Sequence, residues 1–207
     1  MLTGILGGTF DPIHLGHLHI AHQVTARLGL QQVQFMPCAQ PVHRDRPCAS
    51  EAQRCRMIEL AIEEQPAFVL NTLELQRGGP SYSIDSLREI RRQNTQSLVL
   101  ILGADAFNGF ANWKSPGEIL EIAHLVVCCR PGFEIDNAIF GDHRVETPSE
   151  PANSRAGGIL ALTVDAIDCS SSRVRAALEM GKTPRQYLTA KVADYIDEHY
   201  LYRKPCD

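Results

Sequence analysis

A pair of glycines between an apolar run and an amphipathic segment constrains this chain more than any other feature. Residues 2–6 are apolar enough for a strand buried in a sheet. Gly7-Gly8-Thr9-Phe10-Asp11-Pro12-Ile13-His14-Leu15-Gly16-His17 follows, and then Leu18, Ala21, Val24 and Leu28 recur at helical spacing until Gly29, a natural C-cap. The stretch reads as a strand-to-helix turn. Gly7 and Gly8 let the backbone approach a ligand without Cβ interference. Asp11 falls near the helix N-cap and Pro12 near its first turn. A helix start offers unsatisfied N–H groups and partial positive charge, which together hold phosphate. His14 and His17, three apart, project to one side toward that end. Gly16 between them leaves room for a nucleotide against the backbone. A triphosphate fits this description; a solvated, histidine-rich helix start with glycines serving only the turn is the plain alternative.

With 207 residues, the chain suits one domain over 1–207 with a small C-terminal helical part at about 170–207. A formal charge of -4 shows no basic excess and argues against a nucleic-acid partner. Seven cysteines, odd in number and without a C-x-x-C pair, read as reduced thiols of a cytoplasmic protein with no signal peptide ahead of Leu2. No apolar run reaches transmembrane length, so no membrane partner is expected. Subunit number is left open, a homo-oligomer included.

Further along, strand-like runs alternate with amphipathic helices. Strands are expected at 33–37, at 68–70 with an irregular continuation through Leu73 and Leu75, and at 98–102, 124–128 and 159–164. Ser50 and Gln53 form a capping box for a helix burying Met57, Leu60 and Ala61. Other helices carry Ile84, Leu87 and Ile90, then Ile119 and Ile122, then residues 170–180. A last one opens at Thr183-Pro184 with Leu188, Val192, Tyr195 and Ile196 as its stripe. Residues 131–158 read as a long surface excursion. The pattern is α/β: a Rossmann-like, doubly wound, mostly parallel sheet with helices on both faces. Ligands of such sheets bind at the carboxyl ends of strands. Gly7, Pro37, Gly103 and Asp168 all sit just beyond one.

Several residues there could carry chemistry, each with a plainer reading beside it. Ser170, Ser171 and Ser172 followed by Arg173 and Arg175 make a phosphate cradle of hydroxyls, helix dipole and charge, or simply a helix cap. Arg44, beside His43 in a polar loop, is a fork for a phosphate monoester or a solubilising side chain. Ser83 caps a helix whose first N–H groups, near Ile84, could hold a carboxylate. Asp105 after Gly103 could accept from ribose hydroxyls or cap a helix. Trp113, the one tryptophan, lies in a polar stretch. His14, His17, His19 and His22 are dense, but no H-E-x-x-H or cysteine pair accompanies them, and His19 and His22 should face away from the other two, so zinc is not expected.

The string GGTFDPIHLGHL resembles the bacterial nicotinate mononucleotide adenylyltransferases, of the HxGH nucleotidyltransferase superfamily related to class I aminoacyl-tRNA synthetases. CSSSRVR is similar to that family's ISSTxIR, with Cys169 and Ser172 departing from it; PVHR to PPHR, with Val42 departing; PSYS to PSYT; and Gly103-Ala104-Asp105 to GxD. The resemblance implies adenylyl transfer from ATP to nicotinate mononucleotide, with Mg2+ carried by the ATP phosphates. It assigns catalysis to His14, His17 and Arg175. ATP would be held by these with Gly7, Gly8, Thr9, Phe10, Gly16, Gly103, Asp105, Ser170, Ser171 and Ser172. The mononucleotide would be held by Thr9, His43, Arg44, Tyr82, Ser83, Ile84 and Trp113, the last stacking on the pyridine. Arg130-Pro131-Gly132 matches a further segment without an assigned role. Phosphopantetheine adenylyltransferases, which use the same ATP apparatus, and a non-catalytic nucleotide-binding module are the competing readings.

Overall fold

The computed structural model describes residues 1–42, 46–93, 95–129, 140–165 and 167–204. Its strands are β1 (Leu2–Gly8), β2 (Gln32–Pro37), β3 (Phe68–Leu70), β4 (Ser97–Gly103), β5 (Ala123–Cys129), β6 (Arg144–Val145) and β7 (Ile159–Thr163), in spatial order β3-β2-β1-β4-β5-β7-β6. Every pairing is parallel. A parallel sheet must be covered on both faces, and its strands are correspondingly apolar throughout. In β4, Val99 and Ile101 join one core while Leu98, Leu100 and Leu102 join the other. Helices α1 (Leu15–Leu28), α2 (Glu51–Ile62), α7 (Ser171–Glu179) and α8 (Ala190–Glu198) cover the first face; α4 (Ser83–Gln93), α5 (Ala104–Asn108) and α6 (Pro116–Ile122) cover the second. The expected doubly wound α/β architecture is therefore present. The C-terminal helices share one core with α1 and α2 rather than forming an appendage.

Local departures have identifiable causes. Leu73 and Leu75 lie in a short helix, α3 (Leu73–Arg77), not in a strand continuation. Asn71 Oδ1 accepts from the Leu73 N–H at 2.9 Å, an Asx turn that ends the extended backbone. The last helix starts at Ala190, not at Thr183-Pro184, because Thr189 caps it by accepting from the Val192 N–H; residues Arg185–Tyr187 form only a 3-10 turn. Part of the expected surface excursion is ordered structure, since Arg144–Val145 adds a parallel edge strand against Ile159 and Leu160. Cys38, Cys55, Cys128, Cys129 and Cys169 are free thiols, but Cys48 is disulfide-bonded, which corrects the all-reduced expectation. Its loop lies beside the C-terminal segment, both being hydrogen-bonded to the same carboxylate. Cys206 falls outside the described residues. No helix among the described residues is long and apolar enough to cross a membrane.

Candidate active site

From β1 the strand order runs outward in opposite directions, to β2 and β3 on one side and to β4 and β5 on the other. Adjacent loops diverge at such a point and leave a crevice at the carboxyl edge. A pocket of about 860 Å3 lies there, reached by Gly7 and Gly8 at the end of β1 and by Gly103 at the end of β4.

The β1–α1 turn forms one wall. Phe10 takes a left-handed backbone (φ 50°), and its buried ring packs edge-on to His17 at 4.9 Å and against Phe35 at 5.8 Å. Phe10 therefore meets the pocket mainly through backbone. Asp11 is not near the N-cap, as the sequence suggests: α1 begins at Leu15 and His14 is its N-cap. The Asp11 carboxylate is 3% exposed and turned inward, accepting from the N–H groups of Cys48 (2.8 Å) and Ala49 (3.0 Å) and from the Tyr202 hydroxyl (2.8 Å). His14 and His17 do fall on one side, their rings stacked with centroids 3.7 Å apart. His17 Nδ1 accepts from the His14 backbone N–H at 3.2 Å. That acceptor role places the neutral ring's proton on Nε2, a donor for an anion.

Opposite stands the start of α7. Ser170 is its N-cap and accepts from the Arg173 N–H, while Ser171 Oγ donates to Pro12 O at 3.0 Å. Arg175 Nη1 donates to Asp11 O at 2.7 Å, so the loops of β1 and β7 are locked together. Arg173 turns away to Asp168 and lies over the Tyr187 ring, outside the pocket lining. Neither α1 nor α7 has an acidic residue in its first turn, so no carboxylate of either helix opposes its positive end. His14, Gly16, His17, Ser170, Ser171, Ser172 and Arg175 thus line one space. A Cβ at Gly16 would sit 3.0 Å from the His14 ring and 3.7 Å from Cys169 O. Gly16→Ala is accordingly expected to displace the ring and weaken ATP binding about tenfold with little change in Tm, read by titration calorimetry and thermal melting.

The pocket also reaches the start of α4 through Ser81 and Ser83. Asp85 and Ser86 N–H both return to Tyr82 O, which leaves Ser83 and Ile84 in the unsatisfied first turn. Ser83 is thus the first residue of α4, not the cap before it. The Ile84 side chain is fully buried, so only its backbone can serve a ligand. Tyr82 and Trp113 line a side compartment of about 60 Å3 that shares Val42, Ser81 and Ser83 with the large pocket. Trp113 is half-buried: it packs on Phe110 at 5.6 Å and also borders the compartment. Lys114 Nζ sits over the Tyr82 ring and pairs with Asp85 Oδ2 at 2.7 Å. Asp105 is not a cap, since Gly103 holds that position; it is exposed in the first turn of α5 and lines the large pocket. His43, Arg44 and Arg130-Pro131-Gly132 lie outside the described residues.

Two residues that no sequence pattern singled out, Arg54 and Asp165, complete the site. Arg54, 1% exposed, donates to Thr9 O and Cys38 O at 2.8 Å each and pins the ends of β1 and β2 together. Its place on the apolar stripe with Met57, Ile58 and Ala61 is a signal that was legible. Asp165 borders the pocket at the end of β7, and His19, expected to face away, lies along its wall. Burial raises the Cys38 thiol and pushes Cys128 up to about 12, which disfavours the nucleophilic thiolate at both. Among the described residues no three His, Cys, Asp or Glu side chains gather as a metal site.

The cytidylyltransferase-like family model matches residues 5–177. A "Probable nicotinate-nucleotide adenylyltransferase" of Hydrogenovibrio crunogenus is 41% identical over 98% of both chains. One of the same name from Acidithiobacillus ferrooxidans is 38% identical over 97% of this chain and 95% of its own. The solved Plasmodium falciparum nicotinic acid mononucleotide adenylyltransferase complexed with NaAD is 18% identical and superposes with a TM-score of 0.78, covering 100% of this chain and 99% of that one; it shares the fold. Matched along its length in both ways, the chain belongs to the cytidylyltransferase-like family, among the nicotinate-nucleotide adenylyltransferases.

Proposed function

We propose that this protein transfers the adenylyl group of ATP to nicotinate mononucleotide, giving deamido-NAD and pyrophosphate, a step of NAD biosynthesis. The observation that carries the reading is that the starts of α1 and α7, neither with an acidic residue in its first turn, line one pocket together with His17 and Arg175. A polyanion is the ligand such a pair suits.

An oxygen of the mononucleotide's phosphate attacks the α-phosphorus of ATP in line. One P–O bond forms to it, the bond to the β-phosphate oxygen breaks, and pyrophosphate leaves. No covalent enzyme intermediate is needed, in keeping with the protonated pocket thiols. The protein contributes by holding two anions in register and by neutralising charge that builds on the α-phosphate and the leaving group. His17 donates from Nε2 to the reacting phosphoryl group and His14 assists. Ser170, Ser172 and Arg175 hold the pyrophosphate end, with Ser171 anchoring their loop to Pro12. Gly7, Gly8, Thr9, Phe10 and Gly16 lend backbone and space along the chain of phosphates. Asp105, after Gly103, accepts from ribose hydroxyls.

Thr9, Tyr82, Ser83, Ile84 and Trp113 form the mononucleotide end, with His43 and Arg44 gripping its phosphate. The unpaired N–H groups of Ser83 and Ile84 at the start of α4, where the Asp85 charge is met by Lys114 and Arg88, suit a carboxylate better than a neutral amide, which favours the acid over the amide. ATP enters as its Mg2+ complex, the ion being held by phosphate oxygens and water rather than by a cluster of protein carboxylates. The use of ATP places the reaction in the cytoplasm. The test is pyrophosphate release from ATP and Mg2+ with nicotinate mononucleotide, nicotinamide mononucleotide or phosphopantetheine in turn. Release with the first far above the others is expected. Preference for the third would reassign the acceptor, and release with none would leave only a nucleotide-binding module.

A further inference from the structure

The C-terminal segment beyond α8 reaches back into the site through one hydroxyl. Tyr202 is 7% exposed and joins the core formed under α1, α2, α7 and α8. Its hydroxyl donates to Asp11 Oδ1 at 2.8 Å. Asp11 in turn holds Arg175, whose Nη1 donates to the Asp11 carbonyl at 2.7 Å and lies 3.9 Å from its Oδ2. The same guanidinium lines the pocket, and its fork has donors to spare for a ligand.

The segment is held as if its position mattered. Tyr200 and Tyr202 both take left-handed backbones, φ 54° and 58°; the exposed Tyr200 turns the chain off the end of α8, and Tyr202 is buried in the conformation that follows. Leu201 N–H returns to Ile196 O at 3.1 Å and closes the end of α8. Arg203 then bonds Thr183 Oγ1 at 3.0 Å and the Asp197 carboxylate, and reaches Leu178 O at the end of α7. The segment is thereby tied to both helices of its face, and Tyr202 is the part that touches a residue of the pocket wall, Asp11. Burial, followed by the Asp11 charge, drives the phenol's pKa upward, so it stays protonated and keeps donating.

We infer that Tyr202 is a positioning residue for the ATP site: its hydroxyl fixes the Asp11 carboxylate, and Asp11 holds Arg175 at the angle that meets the pyrophosphate end of ATP. The inference rests on the proposed function for Arg175's partner, though not for the contacts themselves. It assigns a turn beyond α8, 191 residues from Asp11 in sequence, a share in substrate binding.

The test is Tyr202→Phe in the full chain, alone and combined with Arg175→Ala. The phenylalanine keeps the buried ring and removes only the hydroxyl. Y202F is expected to weaken MgATP binding, measured by titration calorimetry below the variant's Tm, by about tenfold, the scale of one lost hydrogen bond to a charged group. KM for ATP rises in parallel while KM for nicotinate mononucleotide holds. In the R175A background the same change is expected to have almost no further effect on ATP binding, because the residue it positions is gone. Leu201→Ala, which loosens the segment without touching the hydroxyl, lowers Tm and leaves ATP affinity within about twofold.

Additive losses in the double variant, equal losses for both substrates, wild-type ATP binding by Y202F, or a Y202F that does not fold would each overturn the inference in favour of a purely structural tyrosine. Calorimetry keeps the two readings apart. A wild-type protein that binds MgATP but releases no pyrophosphate refutes the proposed reaction and leaves the positioning question to the binding data.

Discussion

Replacing His17 with alanine is expected to lower kcat for pyrophosphate release by about a hundredfold or more while the protein stays folded, the usual scale for loss of one preorganised donor at a developing charge. The expectation comes from how the ring is held. Its Nδ1 is occupied by the His14 N–H, its plane is stacked on His14, and the Phe10 edge closes the remaining side. Held in this way, the ring presents Nε2 to a ligand without reorganising at the moment of reaction. His17 is only half-buried, so Tm should fall by no more than a few degrees. Steady-state kinetics with a melting curve reads both quantities, and near-normal turnover in H17A would remove His17 from the chemistry.

Asp11→Ala is the second large effect, and it should strike stability and activity together. The substitution leaves the Cys48 and Ala49 amides and the Tyr202 hydroxyl without their acceptor in a buried place. Leaving such donors unsatisfied costs about 1–3 kcal/mol each, part of which relaxation and water entry recover. A net loss of roughly 3–5 kcal/mol follows, or a Tm lower by roughly 10 °C for a chain of this size. Arg175 keeps its bond to the Asp11 carbonyl but loses the nearby carboxylate, so ATP binding weakens as well. Chemical denaturation that places D11A within about 0.5 kcal/mol of wild type would show that the carboxylate is not the hub the geometry makes it.

Much of this fold is legible in the sequence because a parallel sheet leaves a direct trace: short, wholly apolar runs such as those of β4 and β5, separated by helices with one buried stripe. The turn after β1 is legible for the same reason that it works, since two glycines and a short helix entry leave few other conformations. Where reading failed, a nearby polar group outweighed the pattern. Leu73 and Leu75 have strand spacing, yet the Asn71 side chain turns the backbone into a helix. Thr183-Pro184 has the look of a helix start, but Thr183 spends its hydroxyl on Asp197 and the cap falls to Thr189. Asp11-Pro12 imitates a helix entry so well that its inward turn was hidden. Arg54 could have been found, because an arginine on an apolar stripe must have buried acceptors. Tyr202 could not: its partner lies at the other end of the chain, and no local pattern reports a contact of that range.

The central claim is that the α1 and α7 starts clasp the phosphate chain of ATP between them, and a crystal structure with a non-hydrolysable ATP analogue and Mg2+ tests it most directly. The account expects the α-phosphate within hydrogen-bonding distance of His17 Nε2 and the terminal phosphates against Ser170, Ser172 and Arg175. A nucleotide whose phosphates lie away from both helix starts would contradict it.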